Sequence, residues 1–341
     1  MRPGLARIYA ASFCILIIAA CGEEQRPTRE TAAAPATIED AGPLRIANQA
    51  RGPAMQNVLA AFAAETGEEY SLLPADRAHA STSVDLYVAP SLGDLWVVAE
   101  ADKLRPVFSA VIEGGISAAL RDPESRWVAL GAHPRIVAYN TGLVSGDELA
   151  SIDSYASLRD EAWRGRLCLS SSALPGNRLL VAYLISRFGS REAEIIVRQW
   201  RGNLAIAETT DDSKLVAAIR DGRCAIGIAD GRLLASTTSA PGVAVHFFHE
   251  TGETLFDISA AGVSRHALHP ERAVKLLEWL VSETPNALFA VDNAELPANA
   301  GSQPGANVVG WPNIVTNGPR LAALGFLFED ADRLIERAHY R

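Results

Sequence analysis

An open α/β fold in two lobes is the fold class predicted by this sequence, and three observations predict it. Short apolar runs that read as strands alternate with amphipathic stretches of about 10 to 15 residues that read as helices. The 341 residues allow one large domain or two of ordinary size. A hydrophobic share of 48% with 21% charged residues belongs to a globular chain with substantial cores. The alternation points to mostly parallel sheets, and no internal repeat stands out.

The elements follow in order. LRIAN (44–48) reads as a strand, and PAMQNVLAAFAAETG (53–67) as a helix with Pro53 in its first turn. Met55, Val58, Leu59 and Phe62 share one face of it, and Gly67 is its stop signal. SVDLYVAP (83–90) is a second strand and leads into the helical LGDLWVVAEADKL. RIVAYN (135–140) is another strand, RLCLS leads into the helical NRLLVAYLISRFG, and SKLVAAIRDG leads into the strand CAIGIA. PERAVKLLEWLVS (270–282) is a long helix opened by Pro270.

The N-terminus reads as an export signal. Arg2 and Arg7 precede IYAASFCILIIAA, which is too short for a comfortable membrane span and ends at IAAC, residues 18–21. This is similar to a bacterial lipoprotein signal, in which Cys21 would be lipidated and become the new N-terminus. An uncleaved transmembrane helix is the alternative, but the polar, aperiodic tether of residues 22–42 follows at once. Cys14 leaves with the signal, so Cys168 and Cys224 remain in the folded part. In an oxidising compartment they are expected to pair, adding roughly 3 to 4 kcal/mol on the chain-entropy model; two separate buried thiols are the alternative. The net charge of −9 disfavours general nucleic-acid binding, so any anion site must be local.

In open α/β sheets ligands bind beyond the carboxyl ends of the strands, where helices begin. Two such lobes around a cleft make the architecture of solute-binding proteins. LRDPESRWVALGAHPRIVAYNTGLV, SYASLRDEAWRGRLCLSSS, SKLVAAIRDGRCAIGIAD and FDISAAGVSRHALHPERAVKLLEWLVS, in this order and spacing, resemble the iron(III) solute-binding proteins of bacterial ABC importers. The resemblance runs from about Leu44 to about Leu327. It implies a type II periplasmic binding fold, two open α/β lobes joined by hinge strands with a ligand cleft between them. RIVAYN would be one hinge crossing and the segment before DISAAGV the return. The division that follows is a signal at 1–21, a tether at 22–42, one lobe at 43–135 and 257–327, a second at 136–256, and a C-terminal tail or helix at 328–341. A branch of the family also has a cysteine pair like Cys168 and Cys224.

The resemblance fails where a ferric site would be. Iron(III) is a hard cation that needs anionic oxygens, typically phenolates. The family places tyrosines after the strand that corresponds to CAIGIA, but this chain reads Asp230, Gly231, Arg232, Leu233. SSSALPGNR, NQARGP and DNAELPAN likewise lack the expected aromatics or histidine, and none of the seven tyrosines falls at these positions. The expectation is therefore a small anionic or zwitterionic organic solute, with no cofactor and no metal.

Candidate ligand residues are Asn48, Arg51, Ser91, Arg135, Ser170, Ser171, Ser172, Asp230 and Arg232. The arginines at helix starts and the serine turn suit an acidic group, and Asp230 suits an amine. Each has a plainer reading: Asp230 as a helix cap, Arg51 and Arg232 as solvated or paired surface charges, the serines as a loop, Arg135 as structural. Expected partners are a small-molecule solute, an ABC permease and ATPase, and a membrane through the lipid anchor, with the protein a monomer on the periplasmic face. Other classes fit less well. His133 near a serine is conceivable as a base, yet no G-x-S-x-G elbow occurs. The seven histidines show no H-E-x-x-H spacing. Iron(III) or chelated iron held by atypical ligands and a degenerate fold acting as a sensor or envelope-protein partner remain the alternatives.

Overall fold

The computed structural model describes residues 42–49, 53–73, 83–236, 241–248, 254–313 and 321–341. The signal, Cys21, the tether and Arg51 lie outside the described residues. The first strand, β1 (Leu44–Asn48), buries Leu44, Ile46 and Ala47, as a strand covered on both faces requires. Helix α1 (Ala54–Thr66) buries the predicted face of Met55, Val58, Leu59 and Phe62 and ends at Gly67. β1 runs parallel to β2 (Tyr70–Leu73) and β3 (Leu86–Ala89), after which come α2 (Leu92–Glu100) and α3 (Ala110–Gly115).

The chain then enters the long strand β4 (Val128–Asn140) and α4 (Gly146–Ala150), followed by β5 (Leu167–Cys168) and α5 (Pro175–Gly202). The second lobe continues with α6 (Asp212–Arg220), β6 (Ile226–Asp230), α7 (Arg232–Ser236) and β7 (Val243–His246). β8 (Phe256–Val263) returns to the first lobe, with α8 (Pro270–Leu280), α9 (Glu283–Asn293) and β9 (Leu296–Pro297). α10 (Leu321–Gly325) and α11 (Phe328–Ala338) close the chain.

β4 is the strand that makes two lobes from one chain. Val128 to Pro134 pair with β8, whereas Arg135 to Tyr139 pair with β6, so β4 changes sheets between Pro134 and Arg135. The expectation of mostly parallel sheets is corrected here. β1 with β2 and β3, and β5 with β6, are parallel, but every described pairing of β4 and β8 is antiparallel. The reason is the double crossing: a strand that leaves a lobe and one that returns run in opposite directions side by side.

Cys168 and Cys224 form a disulfide, with Cα atoms 5.9 Å apart, which joins the end of β5 to the entry of β6. Around it packs a small core of Ile136, Ala138, Leu215, Ala218, Ile219 and Ala229. The C-terminal segment is structural. Arg178 of α5 holds Asp332 of α11 through bonds of 2.7 and 2.5 Å and stacks over the Phe328 ring. Trp96 of α2 meets Phe326 and Phe328 edge-on, so this segment touches both lobes. Among the described residues no helix is long and apolar enough to cross a membrane.

Candidate functional site

A cleft of about 940 Å³ opens beside the point where β4 changes sheets, a volume that suits a small organic molecule. Strand ends and helix starts supply its lining: Pro90 and Ser91 after β3, Asp94 in α2, Pro175 and Gly176 in α5, Asp211 to Ser213 at α6, Asp230 and Arg232 around α7, and Asp292 to Ala294 at the end of α9. Arg135 and Asp257, from the two crossing strands, complete the floor.

Each charged group at the floor is answered from within the chain. Arg135 is buried; its Nη1 donates to Asp212 Oδ2 at 2.8 Å and its Nη2 to Asn177 Oδ1 at 2.6 Å. Burial works against its charge, but Asp212 and Asp230 outweigh burial and raise its pKa. Asp257 caps the start of α2: its carboxylate accepts from Ser91 Oγ at 2.7 Å and from the Leu92 N–H at 2.9 Å. The place where α2 would receive a ligand anion already holds a carboxylate.

Asp230 answers the N–H of Arg232 at 2.9 Å, which is the capping role, and also takes that residue's guanidinium at 2.6 to 3.1 Å. Burial pushes the Asp230 pKa up, but His133, Arg232 and Arg135 together hold it well below the ordinary carboxylate range. Arg232 Nη1 reaches across the cleft to Glu295 Oε1 at 2.9 Å and to the carbonyl of Pro90 at 3.4 Å. Glu295 is fully buried, and Ser259 Oγ donates to it at 2.6 Å. His133, itself buried, lies between the acids, with Nδ1 3.2 Å from Glu295 and Nε2 3.7 Å from Asp230, neither aligned as a hydrogen bond.

Local backbone delivers this cluster. Ala294 ends α9 in the left-handed region (φ 54°), a conformation that costs a non-glycine residue about 1 to 3 kcal/mol and turns the chain so that Glu295 enters the floor. Gly131 of β4 makes room for it, since a Cβ there would stand 2.2 Å from Glu295 Oε2. Gly231 does the same for the turn after β6, where a Cβ would meet Pro134.

The walls are acidic. Asp94 has no side-chain hydrogen bond among the described residues, and its pKa is raised to about 6, first by burial and then by the charge of Asp257, with Arg232 opposing. Asp211 caps α6 through Lys214 N–H, and Asp292 accepts from Asn57. Among the described residues six carboxylates and two guanidiniums line the cleft, and none of the described tyrosines does.

The structure brings Ser91, Arg135, Asp230 and Arg232 together in this cleft and keeps Asn48, Ser170, Ser171 and Ser172 out of its lining, while Arg51 lies outside the described residues. Asn48 is paired within the sheet opposite Val88, and its neighbour Gln49 lines the cleft instead. The serine turn is also corrected. Ser170 is buried, and its carbonyl accepts from Tyr340 Oη at 2.7 Å. The Ser171 N–H goes to the Thr209 carbonyl at 2.8 Å. Ser172 donates its N–H to the Arg341 carbonyl and its hydroxyl to that of Tyr340, both at 3.0 Å. The C-terminus fills the place assigned to a ligand.

Asp94, Asp211, Asp212, Asp257, Asp292 and Glu295 were not identified from sequence. Asp211 and Asp212 stand in TTDDSK, a helix-start signal, and Asp257 opens the hinge strand, but nothing local distinguishes Glu295 in DNAELPAN.

No family model matches the chain. Among curated proteins it is 28% identical over 301 residues to iron uptake protein A1 of Synechocystis, covering 83% of each chain. It is 29% identical over 234 residues to iron uptake protein A2 of the same organism, covering 65% of this chain and 67% of that one. Among solved structures, the Trichodesmium protein in complex with iron and citrate superposes with a TM-score of 0.80 at 25% identity, over 88% of this chain and 100% of that one. With two α/β lobes, a double strand crossing and a cleft between them, the chain is a homologue of the iron(III) solute-binding proteins and has their type II periplasmic binding fold.

Proposed function

We propose that this chain is the extracytoplasmic solute-binding component of an ABC importer and that its cleft takes a small organic solute carrying a cationic group, alone or as a zwitterion. The observation that carries this reading is the charge balance of the lining among the described residues: six carboxylates against two guanidiniums, with both guanidiniums already paired. A cavity with this excess attracts a cation and repels a simple anion. Of the anionic or zwitterionic solute expected from the sequence, the zwitterion is retained, and its acidic group would have to compete with Asp212 or Asp230 for an arginine.

Bare iron(III) is disfavoured on the same ground as before, since no described tyrosine lines the cleft and hydroxide outcompetes weak donors for that ion. Iron brought in as a chelate is a second reading, supported by the names of the Synechocystis relatives and by the citrate in the Trichodesmium structure. Native mass spectrometry of protein as isolated, with metal analysis of the same sample, separates the two. A retained organic mass without iron is expected, and a thermal shift with amines and zwitterions but not with phosphate or citrate. Coloured ferric protein, or shifts confined to anions, would overturn the reading. The proposal includes a lipid anchor at Cys21, and Cys21→Ser should release the protein from the membrane fraction.

A further inference from the structure

Arg232 is ion-paired to both sides of the cleft floor. On one side stands Asp230, its neighbour across the turn; on the other stand Glu295 and the Pro90 carbonyl, contributed by the first lobe. These are the surroundings a bound cation would have: two carboxylates and a carbonyl oxygen, all directed at one positive group. Glu295 is fully buried, and among the described residues neither its Oε2 nor the Nδ1 of buried His133 beside it has a hydrogen-bond partner. Such a carboxylate is costly to keep ionised unless a positive charge stays within contact. Among the described residues no three acidic, histidine or cysteine side chains are grouped to hold a metal, and the guanidinium stands between the two carboxylates that would begin such a group.

We propose that Arg232 determines the specificity of this cleft as a tethered cation: its guanidinium fills a preformed cation seat made by Asp230, Glu295 and the Pro90 carbonyl, and so bars free cations from the floor. A solute's positive group is then left to the wall carboxylates, Asp94 foremost. This rests on the reading of the cleft as cation-receiving, but it is tested separately from it.

The experiment is cavity rescue. Arg232→Ala should lower Tm, and low-millimolar ethylguanidinium, or Mn²⁺, should raise the Tm of this variant by about 3 °C. The same probes, against a sodium chloride control at equal ionic strength, should leave the wild type unmoved. Arg232→Ala/Glu295→Gln should lose the rescue, because the seat has lost half its charge. If Arg232→Ala does not fold without additive, refolding yield with and without ethylguanidinium gives the same answer, and Arg232→Lys supplies a folded control whose compact ammonium cannot span both acids. Rescue in Arg232→Ala that vanishes in the double variant supports the seat. No gain over wild type, or an equal gain in the double variant, overturns it. A wild type that retains no organic solute while Arg232→Ala is still rescued would leave the seat standing and remove only the proposed cargo.

Discussion

Two strand-to-helix turns, side by side in the second lobe, look alike in sequence and end up with opposite fates. The turn after β5, Ser170 to Ser172, carries hydroxyls and N–H groups ahead of α5; the turn after β6, Asp230 to Arg232, carries charges ahead of α7. The first is sealed by Tyr340 and Arg341, the second faces the cleft. Both stand at strand ends, where ligands meet open sheets. What differs is whether another part of the chain arrives first. A small polar turn with unspent donors is a good dock for a chain terminus, whereas a turn whose charges are already paired across the cleft leaves its rim open.

The comparison can be broken most severely at Arg135, which bridges the two turns. It holds Asp212, which supports the Asp230 N–H, and Asn177, whose amide donates to the carbonyls of Ser170 and Ser171. Arg135→Ala leaves Asp212 buried without its cation, and urea unfolding should show a loss of about 3 to 5 kcal/mol. A loss below 1 kcal/mol would mean that the two turns are held independently.

Next in size is the disulfide that joins the strands beneath the turns. Cys168→Ala/Cys224→Ala should cost about 3 to 4 kcal/mol in the same assay, with solute affinity little changed because neither sulfur lines the cleft. An affinity collapse with intact stability would show instead that the bond sets the geometry of the open turn.

A third test sharpens the chemistry of the open turn's surroundings. The Asp94 pKa is raised to about 6, so the stability linked to its neutral form is present at acid pH and is lost as pH rises through that value. Asp94→Asn should therefore stabilise the solute-free protein above pH 6 and have little effect well below it. A cationic solute favours the ionised form, so its affinity should fall by up to about tenfold per pH unit below 6, and the slope should flatten in Asp94→Asn. Titration calorimetry at several pH values reads both, and a pH-independent affinity in the wild type would remove Asp94 from the contact. The smallest effect is expected at the sealed turn: Tyr340→Phe gives up one buried hydrogen bond, about 1 kcal/mol, and should leave solute binding untouched. A change in affinity there would show that the seal communicates with the cleft.

Much of the frame was legible from local pattern. β1 occupies the LRIAN run, α1 buries the four residues its periodicity selected, and α8 begins at Pro270 as the helix-start signal indicated. Four of the candidate residues share the cleft because strand ends converge there in this topology. The meaning of those residues was not legible. Arg232 reads as a free positive charge until Glu295, 63 positions away, is placed 2.9 Å from it. Ser172 reads as a donor awaiting a ligand until Tyr340, 168 positions away, takes its hydroxyl. His133, which the sequence disfavours as a base, lies buried between two acids, Glu295 and Asp230, that only the fold brings to it.

The sequence by itself determined where strands and helices form and that no tyrosine stands in the turns at 170–172 and 230–233, since apolar periodicity and residue identity are properties of short segments. Tertiary structure decided the sign of the cleft. A charge acts through what lies within a few ångströms of it, and here those neighbours come from the far side of the hinge and the C-terminal end of the chain.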